Sequence, residues 1–465
     1  MTVIIGLETH VQLPTKSKIF CGCKNIVTFE KEPEPNTVTC ETCIGLPGAK
    51  PQVNSQVIEF GTRIALALEC KINNTFSFSR KTYFYPDMGK NFQITQHTIP
   101  LGSHGKLLVD GKLIRITRVH VEEDPARLVH IGGVGGSHVL VDYNRSGTPL
   151  VEIVTEPDMT SPEQARAYLA TLTQVLQYLG VYDPSTKAVL KSDANISLKG
   201  GARVEIKNIT GEKEVFEALR FEMMRQKNLS KQGKRTIQET RLWNPELSVT
   251  QELRTKETEE DYGYIPEGDL TPITLEQRII LKEKQQLPEL PAQKYKRYQR
   301  DYKVAPKLAE ALLADPQLAV LFEAASKKID SKLAATWIAG PLKKTLNWNN
   351  RRLEQTDITV ASFVSVLKLF NSRKLTDRNA EMLIRYLVAE GGQPETLIKK
   401  HQLTGSGTDL DKVIKTVIKN NPKAARDVTN GVAKALNFLI GMVMKETKGT
   451  VDANTVRKAL EKALR

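Results

Sequence analysis

Arg118-Val119-His120-Val121-Glu122-Glu123-Asp124-Pro125-Ala126-Arg127 follows directly on the alternating run Leu113-Ile114-Arg115-Ile116-Thr117. Alternation predicts a strand, with Arg118, His120, Glu122 and Asp124 on one face and Glu123 on the other. Adjacent carboxylates raise each other's pKa, so such a row is costly unless a cation neutralises it. Oxygen-rich sites of this kind suit Mg²⁺, which normally arrives with phosphate. A solvated acidic loop is nevertheless the commoner fate of an acidic run, so the rest of the chain has to decide.

Two other regions repeat the pattern. Val3 to Leu13 alternates as a strand with Glu8 and His10 on one face, able to offer two ligands to one cation. An edge strand with a polar solvent face reads these residues equally well. In Lys191 to Leu198, Asp193, Asn195 and Ser197 oppose Ala194, Ile196 and Leu198. After Lys199-Gly200-Gly201, Arg203-Val204-Glu205-Ile206-Lys207 again keeps Val204 and Ile206 behind its polar residues. A solvated sheet face accounts for one such pair, but not for acids that also accompany His10 and His120.

Between these strands lie Cys21-Gly22-Cys23, sixteen further residues, then Cys40-Glu41-Thr42-Cys43. Two close pairs across a loop have the spacing of a zinc ribbon over about residues 20–45, a closed and therefore structural Zn²⁺ site. Cys70 ends the helical pattern Asn54 to Leu68 and reads as a small core residue. Ser79 to Gln96 interleaves Arg80, Lys81 and Lys90 with Tyr83, Phe84, Tyr85 and Phe92, which suits phosphate contact plus base stacking. Asp110-Gly111 predicts a type I′ hairpin turn, and Val139 to Glu156 reads as a second hairpin across Arg145-Ser146-Gly147. Gly132-Gly133-Val134-Gly135-Gly136 lacks the order of a dinucleotide fingerprint and reads as a mobile loop over the site. Ser161-Pro162 with Gln164 opens a helix with a capping box.

The totals set the scale. A chain of 465 residues has room for two to four domains. Its formal charge of +14 points to an anionic partner such as nucleic acid. From Thr396 to Arg465 there are 14 Lys and Arg against 6 Asp and Glu, which places +8 of that charge in the last 70 residues. No apolar run approaches the roughly 20 residues that span a bilayer, and no apolar leader follows Met1, so no membrane partner is expected and the compartment reads as cytoplasm. Strand signals fade near Leu287-Pro288-Glu289-Leu290-Pro291. The expected class is α+β: a β-rich domain over 1–290, a helical domain over 291–395 with Trp337 and Trp348 in its core, and a basic helical tail over 396–465.

Several runs together closely resemble one family, the B subunit of the glutamyl/aspartyl-tRNA amidotransferase. They are Gly6-Leu7-Glu8-Thr9-His10-Val11-Gln12-Leu13, the ribbon ending Ile44-Gly45-Leu46-Pro47-Gly48, Tyr83-Phe84-Tyr85-Pro86-Asp87, His120-Val121-Glu122-Glu123-Asp124, Asp142 to Val154, Arg203 to Asn208, and Gly441 to Gly449. The order is right and the similarity spans the chain. Gly263, Ile265 and Gly268 depart from the family's Arg, Phe and Pro, Lys191-Ser192 from Arg-Cys, and Thr210-Gly211 from Asn-Ser. These departures bear on substrate detail more than on reaction class.

The resemblance implies a cradle-shaped first domain and an ATP-dependent reaction on misacylated tRNA. The side-chain carboxylate of the esterified Glu or Asp is phosphorylated, and ammonia then displaces phosphate. It implies a heterotrimer, in which a separate amidase subunit supplies the ammonia through a tunnel and a third, small subunit braces the pair. On this reading Glu8, His10, Glu122, Glu123, Asp193 and Glu205 surround Mg²⁺, with Glu8, His10, Glu123, Glu205 and Lys81 in the chemistry. Lys81, Arg118 and Lys207 neutralise phosphate, and Tyr83, Tyr85 and Asn144 contact nucleotide or the tRNA end. Two rivals from other classes are a non-catalytic zinc-ribbon tRNA-binding protein and a metal-dependent phosphohydrolase acting on nucleic-acid ends. Removing the residues after Thr396 should weaken tRNA binding and flatten its salt dependence, as measured by filter binding across a salt series.

Overall fold

The computed structural model describes the chain except residues 1, 133–137, 256–261, 405–409, 431, 448–450, 452 and 465, and except the side chains of 254 and 255. All but the first residue of the glycine run after Ile131 therefore falls outside the described residues. The fold is α+β, and the chain divides into a unit Met1–Leu290 and a unit Pro291–Arg465.

The first unit is built on a nine-stranded sheet. Its strands lie in the order Val249–Thr255, Glu239–Asn244, Val204–Thr210, Leu190–Leu198, Val3–Gln12, Pro149–Thr155, Lys112–Glu123, Gly102–Val109 and Lys71–Ile72. Every neighbouring pair is antiparallel except Val204–Thr210 with Glu239–Asn244. The period of two then fixes both faces. Ile5, Leu7 and Val11, Val119 and Val121, Val151 and Ile153, Ala194 and Ile196, and Val204 and Ile206 are all buried in one apolar core. The helices Ser55–Ala67, Pro162–Tyr178 and Gly211–Lys231 pack with that core. Each large aliphatic side chain buried there contributes about 1.5–3 kcal/mol. Close packing is visible at Gly61, where a Cβ would stand 2.7 Å from Leu101 Cδ2 and 3.0 Å from Val121 Cγ1.

Local signals act as their chemistry requires. Ser161 caps its helix by accepting from Gln164 N at 3.3 Å, with Pro162 in the first turn. Asp110 and Gly111 both take positive φ, at 47° and 80°, and join Gly102–Val109 to Lys112–Glu123. The second expected hairpin does not form. His138–Asp142 pairs with Arg127–Ile131, while Pro149–Thr155 inserts between Val3–Gln12 and Lys112–Glu123. The intervening Tyr143–Thr148 segment is held to the cysteine loop instead: Asn144 Oδ1 accepts from Val38 N at 2.7 Å and Ser146 Oγ donates to Cys43 O at 2.6 Å.

Every regular element among the described residues of the second unit is a helix. Tyr302 packs edge to face on Tyr298 and Phe322, which are tilted against each other, and the Tyr298 hydroxyl donates to Glu323 at 2.8 Å. Ile414, Val417, Leu439, Val443, Val456 and Leu460 form a separate small core among the last helices. Trp337 is buried as expected, but Trp348 is 88% exposed, which corrects its assignment to the core. Leu346 and Thr345 bury their side of helix Lys343–Trp348, and Trp348 falls about 200° around the axis from Leu346. Ile153→Ala should lower the stability of the sheet unit by about 2–5 kcal/mol. Urea unfolding followed by Trp243 fluorescence, with the other two tryptophans replaced by Phe, would measure it. Leu113→Ala on the exposed hairpin should change stability by less than about 0.5 kcal/mol.

Candidate active site

Register lays the polar face of the sheet out in rows. His120, Glu152, His10 and Lys191 stand opposite one another across four strands. Arg118, Val154, Glu8 and Asp193 form the next row, and Glu205, Asn195 and Gly6 another. Opposed residues of antiparallel strands lie close enough for side chains to interact directly. A ladder shift between Ser192 and Ala194, with Asn208 at φ 69°, lets Asn208 N donate to Asp193 Oδ1 at 3.4 Å.

Two groups of potential ligands result. In the first, His10, Glu122 and Glu152 offer donor atoms all within 4.8 Å of one another. His10 Nε2 lies 3.1 Å from Glu152 Oε2 and 3.6 Å from Glu122 Oε1, and His120 Nε2 lies 3.4 Å from Glu152 Oε2. Burial alone would favour a neutral His10, but the hydrogen bond to Glu152 and the charges of Glu152 and Glu122 push it up to about 10. Burial opposes ionisation of Glu152 too, yet His120 and His10 hold its carboxyl well below the usual range. A proton on the imidazole thus supplies positive charge where the two carboxylates converge.

In the second group, Glu8, Asp193 and Glu205 converge within the same 4.8 Å. Burial raises the Glu8 carboxyl, and Glu152, Asp193 and Glu205 raise it further, against Lys207. Lys207 Nζ lies 2.9 Å from Asp193 and 3.4 Å from Glu205. Asn195 Nδ2 donates to Glu8 at 3.0 Å, and Thr240 Oγ1 to Glu205 at 3.1 Å. An all-oxygen set of three carboxylates fits a hard divalent cation, and the imidazole–dicarboxylate set fits one as well when the cation takes the place of the His10 proton.

Both groups line two cavities, of about 440 Å³ and 270 Å³, which share Glu8, Lys81, Glu122, Glu152 and Lys207. Arg118 and Arg203 line the larger and Tyr83 the smaller. His120 Nδ1 and Arg118 Nε are buried without a hydrogen-bond partner among the described residues. Leaving such a group unsatisfied costs about 1–3 kcal/mol.

Not every expected residue joins them. Glu123 belongs to neither ligand group; it is buried, forms an ion pair with Lys90 and accepts from Ile94 N at 2.8 Å. Tyr85 is 54% exposed and lines neither cavity. Asn144 is buried by the cysteine loop, donating to Glu34 O at 2.7 Å. Conversely, Glu152 had no assigned role in the sequence reading, although it is a lone carboxylate in the otherwise apolar Pro149–Thr155, a signal that could have found it. Tyr262 and Tyr264 were also passed over.

Cys21, Cys23, Cys40 and Cys43 bring their sulfurs within 4.8 Å of one another, a set that could hold a metal ion. The Cys43 thiol is lowered to about 5 by Cys21, Cys40 and Lys18 against the effect of burial. Lys18, itself buried, reaches Cys43 Sγ at 3.5 Å.

Comparison with known proteins places this geometry. Residues 3–281 match the GatB/GatE catalytic domain, and residues 320–464 match the GatB domain. The chain belongs to the GatB family. A relative from Methanospirillum hungatei, named as the B subunit of an aspartyl/glutamyl-tRNA(Asn/Gln) amidotransferase, is 43% identical over 476 residues, covering 100% of this chain and 98% of the relative. Relatives of the same name from Methanococcoides burtonii and Carboxydothermus hydrogenoformans are 40% and 38% identical, each over 98% of its length and over 100% and 99% of this chain. The two matched regions of this GatB-family chain fall on the sheet-based and the helical unit respectively. Among the described residues, all three potential metal groups lie in the first. Metal analysis by mass spectrometry should find zinc bound to the purified chain and lost in Cys43→Ser, with no loss in Cys70→Ser.

Proposed function

We propose that this chain is the activating and amidating subunit of a tRNA-dependent amidotransferase. It phosphorylates the side-chain carboxylate of Glu or Asp misacylated to tRNA with ATP, and ammonia then displaces phosphate to give the amide. The supporting observation is the convergence of two groups of potential metal ligands on the polar face of one sheet, with Lys81, Arg118, Arg203 and Lys207 lining the same cavity, within a GatB-family chain. A carboxylate is a poor electrophile, and phosphorylation converts its oxygen into a leaving group. ATP and a carboxylate repel each other, so the reaction needs positive charge fixed between them.

Glu8, Asp193 and Glu205, and separately His10, Glu122 and Glu152, would hold Mg²⁺, a divalent cation that would supply that charge. Lys81, Arg118, Arg203 and Lys207 neutralise the triphosphate and hold it against the acids. Glu123, clamped by Lys90, keeps Gln93 in place through its backbone carbonyl, which accepts from Gln93 Nε2 at 2.7 Å. Cys21, Cys23, Cys40 and Cys43 would hold a structural Zn²⁺, which would order the loop that braces Tyr143–Thr148. Ammonia comes from glutamine, hydrolysed by a separate amidase subunit, with a third, small subunit completing the heterotrimer. The basic module after Thr396 grips the tRNA backbone. No helix among the described residues is long and apolar enough to cross a membrane, and we place the enzyme in the cytoplasm.

The test supplies the assembled complex with Mg²⁺, ATP, misacylated tRNA and ammonium chloride, and analyses the amino acid released from the tRNA. Glutamine or asparagine should appear only with ATP. Glu205→Gln and Glu152→Gln should each cut amide formation about 100-fold and leave tRNA affinity nearly unchanged. Tight tRNA binding without amide would favour the non-catalytic binding protein. Phosphate release without any need for the aminoacyl ester would favour the hydrolase.

A further inference from the structure

The larger cavity carries a feature that the chemistry of charge neutralisation does not use. Among its acids and bases it is walled by three aromatic rings, His97, Tyr262 and Tyr264. His97 and Tyr264 are stacked, with centroids 3.9 Å apart and planes 16° from parallel. Tyr262 meets Tyr264 edge to face at 6.2 Å, and Lys81 Nζ sits 4.5 Å from the Tyr262 ring centre. The rings thus form one continuous wall that joins the charged set through Lys81, a residue common to both cavities.

This wall is anchored from outside the cavity. Ile265–Pro266 adds as a short strand to Ser79–Arg80, Glu267 N donates to Phe78 O at 3.0 Å, and Arg80 grips Glu267 with two bonds of 2.8 Å. Tyr262 and Tyr264 flank Gly263, whose φ is 49° and around which nothing lies within 4 Å of an added Cβ. Both tyrosines stay part-exposed rather than joining the apolar core behind the sheet. Phosphates and carboxylates have no need of apolar ring faces. A ligand that carries a phosphate or ester at one end and a flat heterocycle at the other needs both parts of this cavity.

We propose that His97, Tyr262 and Tyr264 form a seat for a purine ring, with Lys81 at the junction between ring and phosphate. The inference rests on the amidotransferase reading, in which two ligands present a purine: ATP, and the adenosine that ends every tRNA and carries the esterified amino acid. The charged rows then take the anionic end of the same molecule.

The experiment uses the assembled complex with ammonium chloride as amine donor. It compares wild type with Tyr264→Leu, Tyr262→Leu and Tyr264→Phe, checking each for an unchanged melting temperature. ATP is set against CTP, which has the same phosphates and a smaller base, and misacylated tRNA ending in adenosine against the same tRNA ending in cytidine. Loss of one stacking partner should raise the relevant KM about tenfold, with Tyr264→Phe close to wild type because the ring is retained. A rise confined to ATP, with CTP unaffected, places the base of ATP in the seat. A rise confined to adenosine-ended tRNA places the terminal adenosine there. The proposal is overturned if the folded Leu variants keep the wild-type KM for both, or if wild type shows no purine preference in either substrate. Tyr262→Leu, whose ring does not stack on His97, keeps the test open should Tyr264→Leu fail to fold. A wild-type complex that consumes no ATP sinks the amidotransferase reading and the seat's assignment to this reaction with it.

Discussion

The row His120, Glu152, His10 and Lys191 across four strands is the constraint around which the first unit is arranged. Burying carboxylates in the middle of a sheet is unfavourable unless opposite charge meets them at short range. Here Glu152 answers two imidazoles, and its low pKa and their raised ones are two views of one interaction. The arrangement requires the strand carrying Glu152 to lie between those carrying His10 and His120, so strand order and site chemistry are the same fact.

The other face provides the rigidity. Valines and isoleucines at alternate positions of the same strands pack against three helices, with Gly61 allowing close approach. Because the two faces share a backbone, fixing the apolar side fixes where each carboxylate points. A slip of one residue in any of these strands would exchange acids for valines across the sheet. Register is therefore specified twice, by burial behind and by ion pairing in front.

Charge is distributed unevenly on the polar face. Lys207 answers Asp193 and Glu205, while the imidazoles answer Glu122 and Glu152, and Glu123 is drawn off to Lys90. Glu8, in the second ligand group, has its carboxyl raised by burial and by three acid neighbours. The surface gathers five carboxylates, Glu8, Glu122, Glu152, Asp193 and Glu205, in two groups, which fits it for divalent cations. It keeps Lys81 and Arg118 along the cavity for the phosphates that come with them.

Local pattern was enough for much of this. Alternation in Val3–Gln12, Lys112–Glu123 and Leu190–Leu198 determined the strands and which side chains share a face, because the period of two is a property of the backbone alone. Cysteine spacing determined a four-sulfur cluster, and Asp110-Gly111 determined a turn. Sequence could not determine which strands become neighbours. Pairing Val139 with Glu156 looked local and cheap, yet Pro149–Thr155 is buried on both sides only between the first strand and Lys112–Glu123. That long-range choice brings Glu152 between two histidines, draws Asn144 to the cysteine loop and leaves Glu123 with Lys90. Trp348 shows the same limit in the helical unit: a large aromatic side chain favours burial, but which side of a six-residue helix faces the core is set by its neighbours. Composition and period determined the kinds of element and their faces; only the tertiary structure, through burial shared among distant strands, decided which charges meet.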